Sequence, residues 1–266
     1  MNLHERVLGM LQQILVVEEL RPEAKLYRAL RLLAKYRSEL IAQELVRGGG
    51  LSVRSGPFAG MTMGEQRTEG CLVPKILGCY EQELHGILRE LPARGYEAVL
   101  DIGCAEGYYA IGLALLLPEA EVWAYDMEDS ARRTCAALAE RNGVSGRVHI
   151  GERFALEDFR SFADRHVLVA CDIEGGEVDL MDPEAAPALR RMDVLVELHD
   201  CFDPTISQRI VERFETSHEV RFVEAGARNA GGFPELAKLE HLDQLLALWE
   251  WRTGPTPWAF MTAKER

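Results

Sequence analysis

A chain of 266 residues, 47% apolar and 27% charged, can bury a sizeable core and needs no covalent staple to fold. Its formal net charge of -13 argues against a general nucleic-acid binder, because phosphate backbones are held by Lys/Arg surfaces. The six cysteines form no CxxC pair, which suits reduced, partly buried thiols better than a disulfide framework.

The N-terminus lacks the basic, apolar and small-residue regions of a leader, and no stretch approaches the ~20 apolar residues of a membrane span. A cytoplasmic protein is therefore expected. Residues 1–50 hold eight Lys/Arg against six Asp/Glu, net +2, so the remainder carries -15. They read as a helical extension of two helices broken near Pro22. In the second, Leu26, Leu30, Leu33, Tyr36, Leu40 and Ile41 share roughly one face. Such a face packs on its own domain or on a twin subunit, so a homodimer through these helices is one expectation.

Residues 51–266 read as one domain. "LSVRSGPFAGMTMG" has the alternation of a hairpin, and "LVPKILGCYEQELHGILREL" is helical around or after Gly78. From residue 98 strands and helices alternate. "AVLDIG", "EVWAYD", "RVHIGER", "HVLVACDI", "DVLVELHD", "VRFVEAG" and "WAFMTAKE" are strands. "YYAIGLALLL", "SARRTCAALAERNGV", "ALEDFRSFAD", "PEAAPALRR" and "SQRIVERFE" are helices between them. This order predicts an α/β fold, a doubly wound Rossmann-like sheet with helices on both faces. A long insert, residues 226–257, separates the last two strands. It carries Arg228, Asn229, Phe233, Trp249 and Trp251, and together with "GPFAGM", Tyr80 and Glu81 it is the expected source of acceptor recognition.

"AVLDIGCAEGYYAIGLA" places Gly103 and Gly107 at a joint of strand and helix, where missing side chains allow tight turning and close ligand approach. Asp101 closes the strand, and Asp126 in "YDMED" closes the next one, where a carboxylate can bind the two hydroxyls of a ribose. A dinucleotide fingerprint asks for G-x-G-x-x-G. Here Ala105 fills the middle position and no glycine stands at 108, so a nicotinamide-dependent oxidoreductase is the weaker alternative. An adenosine carrying a cationic amino-acid tail suits Asp101 and the acidic surround better.

With these residues in place, the chain resembles the class I S-adenosylmethionine-dependent methyltransferases. Their glycine-rich first motif is similar to "VLDIGCAEG", with Ala105 in place of the usual middle glycine. The resemblance implies cofactor contacts from Asp101, Gly103, Cys104, Ala105 and Gly107, ribose binding by Asp126 beside Met127, and an adenine pocket lined by Gly151, Glu152 and Arg153. "CDIEGGE" with "LVELHD" further looks like the FkbM-type methyltransferases. The resemblance covers residues 52 to 266 and implies seven strands, mostly parallel, the last antiparallel.

"CDIEGGEVDL" sets Asp172, Glu174 and Glu177 around two glycines, either as a solvated turn or as a functional strand end. Ligands gather outside the carboxyl ends of strands in an open sheet, so Asp172, Glu174, Glu197, His199 and Asp200 are expected to converge there. His199 is the preferred general base, with Asp172 the alternative and a further cofactor contact. Glu174 either holds the imidazole or binds the acceptor. The competing use of these oxygens is a divalent metal, Mg²⁺ or Mn²⁺, which the resemblance does not demand. The expected activity is transfer of a methyl group to a small-molecule or glycan hydroxyl. A non-catalytic scaffold that binds the same ligand is the other alternative.

Overall fold

A computed structural model describes residues 2–65, 71–254 and 256–265. In chain order the elements are α1 (Leu3–Val16), α2 (Pro22–Gly49), α3 (Leu72–Leu77), α4 (His85–Glu90), β1 (Ala98–Ile102), α5 (Tyr108–Leu116), β2 (Glu121–Tyr125) and α6 (Asp129–Arg141). There follow β3 (Val148–Gly151), β4 (Val167–Cys171), α7 (Glu177–Leu180), β5 (Asp193–Glu197), α8 (Ile206–Phe214), β6 (His218–Val223), α9 (His241–Ala247) and β7 (Trp258–Ala263). They fall into two compact units. One comprises Met1–Gly50, Cys71–Pro74 and Arg228–Trp251, and the other Leu51–Gly70, Lys75–Ala227 and Arg252–Arg266.

The larger unit is a seven-stranded sheet of order β3-β2-β1-β4-β5-β7-β6. β1 to β5 run parallel, and β7 lies antiparallel between β5 and β6. β1, β4 and β5 are buried along their whole length, which is why "AVLDI", "VLVAC" and "DVLVE" read as near-continuous apolar runs. β2 is buried only at alternate positions. The chain winds one way from β1 to β3 and the other way from β4 onward. The switch point, where such sheets bind ligands, is therefore the gap between the carboxyl ends of β1 and β4.

Two expected helices are 3-10 turns, Leu156–Phe162 and Pro187–Arg191. In the second, Pro187 supplies no N–H to an α-helical ladder. The expected hairpin is a loose one, with a single bridge, Ser52 to Thr62, and Asn142 at the end of α6 bonding both the N–H and the carbonyl of Thr62.

In the smaller unit, Asn2 and Glu5 form a capping box at the start of α1, and Pro22 opens α2. Of the apolar face expected on α2, Ile41 is buried whereas Leu26, Leu30 and Leu33 are exposed. The insert belongs to this unit over Arg228–Trp251. Arg37 of α2 makes a two-pronged pair with Asp243 of α9, Arg228 pairs with Glu250 at 2.7 Å, and Lys35 Nζ stands 4.6 Å from the Trp251 ring centre. Arg228 and Trp251, expected to recognise an acceptor, thus make contacts within the helical unit. Residue 255 of the insert lies outside the described residues.

Candidate functional site

Asp101 lies at the carboxyl end of β1 and is only 4% exposed. Its Oδ2 has no hydrogen-bond partner among the described residues. Burial pushes its carboxyl up to about 7; the Ala110 N–H opposes this and the charge of Asp126 adds to it. A buried carboxylate oxygen without a donor is poised for a cationic ligand.

The loop after β1 has unusual backbone. Gly103 and Gly107 adopt φ of 89° and 95°, and Ala105 adopts φ 46°. A Cβ on Gly103 would sit 1.7 Å from the carbonyl oxygen of Asp172, and one on Gly107 would sit 2.8 Å from Cys135 Sγ. The glycines are therefore required by close packing on β4 and α6, a reason independent of any ligand. Nor do the first N–H groups of the loop face outward. Those of Gly103 and Cys104 donate to the Tyr125 carbonyl at 2.9 and 3.0 Å, and that of Gly107 to the Cys104 carbonyl. The Cys104 thiol is pushed up by its hydrogen bond with Cys135 and by burial, which leaves it unreactive.

Ala105 N–H donates to Asp126 Oδ2 at 2.9 Å, and Glu128 N–H to Asp126 Oδ1 at 2.8 Å. These two bonds fix the carboxylate against the loop and leave each oxygen a further lone pair. Met127 beside it is 75% exposed. The β3 segment stands apart. Glu152 and Arg153 are exposed, and Gly151 leaves room for the Tyr125 ring, which a Cβ there would meet at 2.3 Å. Arg153 borders an open depression with Asp158, Ile173 and Gly176. That depression shares no lining residue with the cavity of about 30 Å³ at the switch point, which is lined by Asp101, Gly103, Cys104, Ala105, Tyr108 and Asp172, among others.

The carboxyl ends of β4 and β5 carry the second constellation. After β4, Glu174 takes φ 54° and Gly175 φ 104°, so the chain doubles back and returns Glu177 beneath the turn. Glu177 is fully buried and accepts N–H bonds from Ile173 and Gly175. His199 is 3% exposed, and its Nδ1 bonds Glu177 Oε1 at 2.9 Å. A carboxylate only accepts, which assigns the proton to Nδ1. The opposite nitrogen, Nε2, stands 3.6 Å from Asp172, 3.5 Å from Glu174 and 3.6 Å from Glu197. Phe202 stacks on the imidazole with its ring 10° from parallel. Burial lowers the affinity of His199 for a second proton, but the hydrogen bond to Glu177 and the charges of Glu177, Glu197 and Glu174 reverse this, so the net shift is upward. Burial likewise raises the Glu177 carboxyl, and His199 together with backbone N–H groups more than compensates, holding it below the usual range.

Asp172, Glu174, Glu197 and His199 thus come together as the sequence predicts. Asp200 does not join them, because it accepts from the N–H and hydroxyl of Ser207 in the first turn of α8. The imidazole is held by Glu177 and not by Glu174, whose side chain is 68% exposed. Sequence reasoning also missed Arg252, which bonds Glu197 Oε1 at 2.6 Å and reaches Glu81 and Glu83 at 3.3 Å each. It missed the buried Lys75–Glu106 ion pair beside the switch-point cavity as well. Neither pair has local spacing that would announce it.

No family model matches the chain. A ribosomal protein L11 methyltransferase from Pelotomaculum thermopropionicum (strain DSM 13744 / JCM 10971 / SI) is 37% identical over 98 residues, 37% of this chain. The matched stretch spans 30% of that relative's length. Among solved structures, cofactor-bound Rv0187 from MTB superposes with a TM-score of 0.50 at 16% identity, covering 71% of this chain and 83% of that one. An O-methyltransferase from Bacillus cereus in complex with SAH gives 0.48 at 12% identity over 96% of this chain and 97% of that one. The fold is the Rossmann-like, seven-stranded one of class I methyltransferases. Among the described residues, no helix is long and apolar enough to cross a membrane.

Proposed function

We propose that the protein is an S-adenosylmethionine-dependent methyltransferase that methylates a hydroxyl of a small molecule or glycan, in the manner of the FkbM-type enzymes. The observation that carries this reading is the pairing, at one switch point, of an orphaned buried carboxylate on β1 with a histidine–carboxylate group on β4 and β5. The bound cofactor supplies an electrophilic methyl on its sulfonium sulfur. Asp101 would hold the ammonium of its amino-acid tail, and Asp126 the ribose hydroxyls. His199 Nε2, with Asp172 as the alternative base and Glu174 beside them, would take the proton of the acceptor hydroxyl when its oxygen takes the methyl. The name of the L11 methyltransferase favours a second reading, a protein acceptor. The exposed Leu26, Leu30 and Leu33 are where a second copy would pack.

Calorimetric titration with S-adenosylhomocysteine, with NAD in parallel, tests the cofactor. Binding of the former alone is expected, and binding of NAD alone overturns the reading. Asp126→Ala removes charged hydrogen bonds worth about 1.5–3 kcal/mol each, so affinity is expected to fall about tenfold or more.

The pH profile tests Asp101. An ammonium prefers the ionised carboxylate, so below a folded value of about 7 each binding event must release a proton. Affinity should rise about tenfold per pH unit up to about 7 and then level off. Stability of the ligand-free protein runs the other way. The folded value exceeds the unfolded one, so stability is lost as pH climbs from about 4 to about 7. Asp101→Asn should flatten both profiles; titrations at pH 5.5, 6.5 and 7.5 check this, and a flat wild-type affinity profile removes Asp101 from the ammonium site.

A further inference from the structure

The ends of β4 and β5 gather four carboxylates around one buried imidazole. Glu177 holds the Nδ1–H of His199, so Nε2 carries the lone pair in the neutral ring and points away from Glu177. It faces oxygens of Asp172, Glu174 and Glu197 at 3.5–3.6 Å, which is longer than an N–H···O hydrogen bond. Ligand atoms of Asp172, Glu174 and His199 all lie within 4.8 Å of one another. A nitrogen lone pair on a ring that is 3% exposed, set against three anionic oxygens, repels unless positive charge lies between them. Arg252 sits on the far side of this group: it bonds the other oxygen of Glu197 and is shared with Glu81 and Glu83.

We propose that His199 Nε2 and the carboxylates of Asp172 and Glu174 bind one divalent cation of the Mn²⁺ class. One imidazole with carboxylate oxygens suits such an ion better than a thiophilic metal. Adjacent ligands of a six-coordinate ion of this size stand about 3 Å apart, so each carboxylate needs to close on Nε2 by only about half an ångström. Glu197 adds charge beside the ion. Glu177 is the positioning residue, fixing the tautomer and orientation of the imidazole from behind. The binding stands on these residues alone; its role rests on the methyl-transfer reading, where the cation would lower the pKa of the acceptor hydroxyl so that its proton leaves to solvent on the exposed Glu174 side, in place of direct uptake by His199.

The test titrates Mn²⁺ into full-length, chelator-stripped protein, following free Mn²⁺ by electron paramagnetic resonance, with S-adenosylhomocysteine titrated separately by calorimetry. One Mn²⁺ per chain is expected. Glu174→Gln and His199→Gln should each weaken it about tenfold or more, and Glu177→Gln about 10–100-fold. The Glu174 side chain is 68% exposed, so Glu174→Gln should fold and keep its affinity for S-adenosylhomocysteine. Protein that binds S-adenosylhomocysteine but takes up no Mn²⁺ at millimolar concentration overturns the proposal and leaves the cluster as the cage of a protonated imidazole. Uptake that Glu174→Gln and His199→Gln both leave unchanged overturns it too. Uptake abolished by these variants in a protein that never binds S-adenosylhomocysteine supports the metal site and removes the methyl-transfer reading.

Discussion

Gly103→Ala should cost more than 3 kcal/mol of stability, by order of magnitude, and abolish binding of S-adenosylhomocysteine. Two effects add. The backbone at 103 has φ 89°, where an L-residue is strained by about 1–2 kcal/mol. The new Cβ would also lie 1.7 Å from the Asp172 carbonyl oxygen and 2.7 Å from its carbonyl carbon. Both are backbone atoms and cannot turn aside. To relieve the overlap, the bond from Asp172 N–H to the Ile102 carbonyl, 2.9 Å at present, must open, which separates β1 from β4 at the switch point itself. In a chain of this size the loss corresponds to a melting temperature lower by roughly 6–12 °C. Gly143→Ala is the matched control: its φ is 69°, but no heavy atom lies within 4 Å of the added Cβ, so only the strain of about 1 kcal/mol remains. Thermal unfolding of the two variants side by side decides the matter. Equal losses would mean that the close approach of β1 and β4 is not what requires glycine at 103.

That contrast also explains what was legible in the sequence. Strand–helix alternation and buried apolar runs predict the sheet because periodicity reports burial directly, and "VLDIG" ends where the chain must turn. The reason for each glycine is not local. Gly103 answers to Asp172 and Gly107 to Cys135, partners brought near only by the assembled sheet. The same limit separates Glu174 from Glu177. Alternation of side chains along an extended strand cannot be counted through two successive residues of positive φ, so the turn at Glu174 and Gly175 leaves Glu174 largely exposed though still 3.5 Å from His199 Nε2, and buries Glu177, which bonds Nδ1 in its place. Asp200, one residue from His199, is captured by Ser207 seven positions on, at a helix start whose exact place the pattern leaves open. Charge clusters read from sequence thus locate the strand ends correctly and misassign individual carboxylates within them.

Arg252→Ala should be the most damaging substitution outside the sheet, at about 3–5 kcal/mol. The guanidinium serves Glu81, Glu83 and Glu197, whose side chains are 2%, 6% and 7% exposed, and it also bonds the carbonyl of Thr256. Removing it leaves three buried carboxylates without their shared cation, a loss that solvent cannot screen at that depth. Arg252→Lys restores the charge but not the fork, since an ammonium cannot reach Glu197 on one side and Glu81 with Glu83 on the other as a planar group does; an intermediate loss is expected. Denaturant unfolding of Arg252→Met beside the alanine and lysine variants separates charge from packing. If the deficit is electrostatic, methionine recovers little and lysine recovers more, whereas a deficit of lost contacts is recovered by methionine as well. The alanine variant also reaches the cation site, because Arg252 no longer offsets the negative charge of Glu197 beside His199. Mn²⁺ uptake should therefore tighten in the alanine variant even as the fold weakens, opposite to the parallel decline of both that general unfolding would produce.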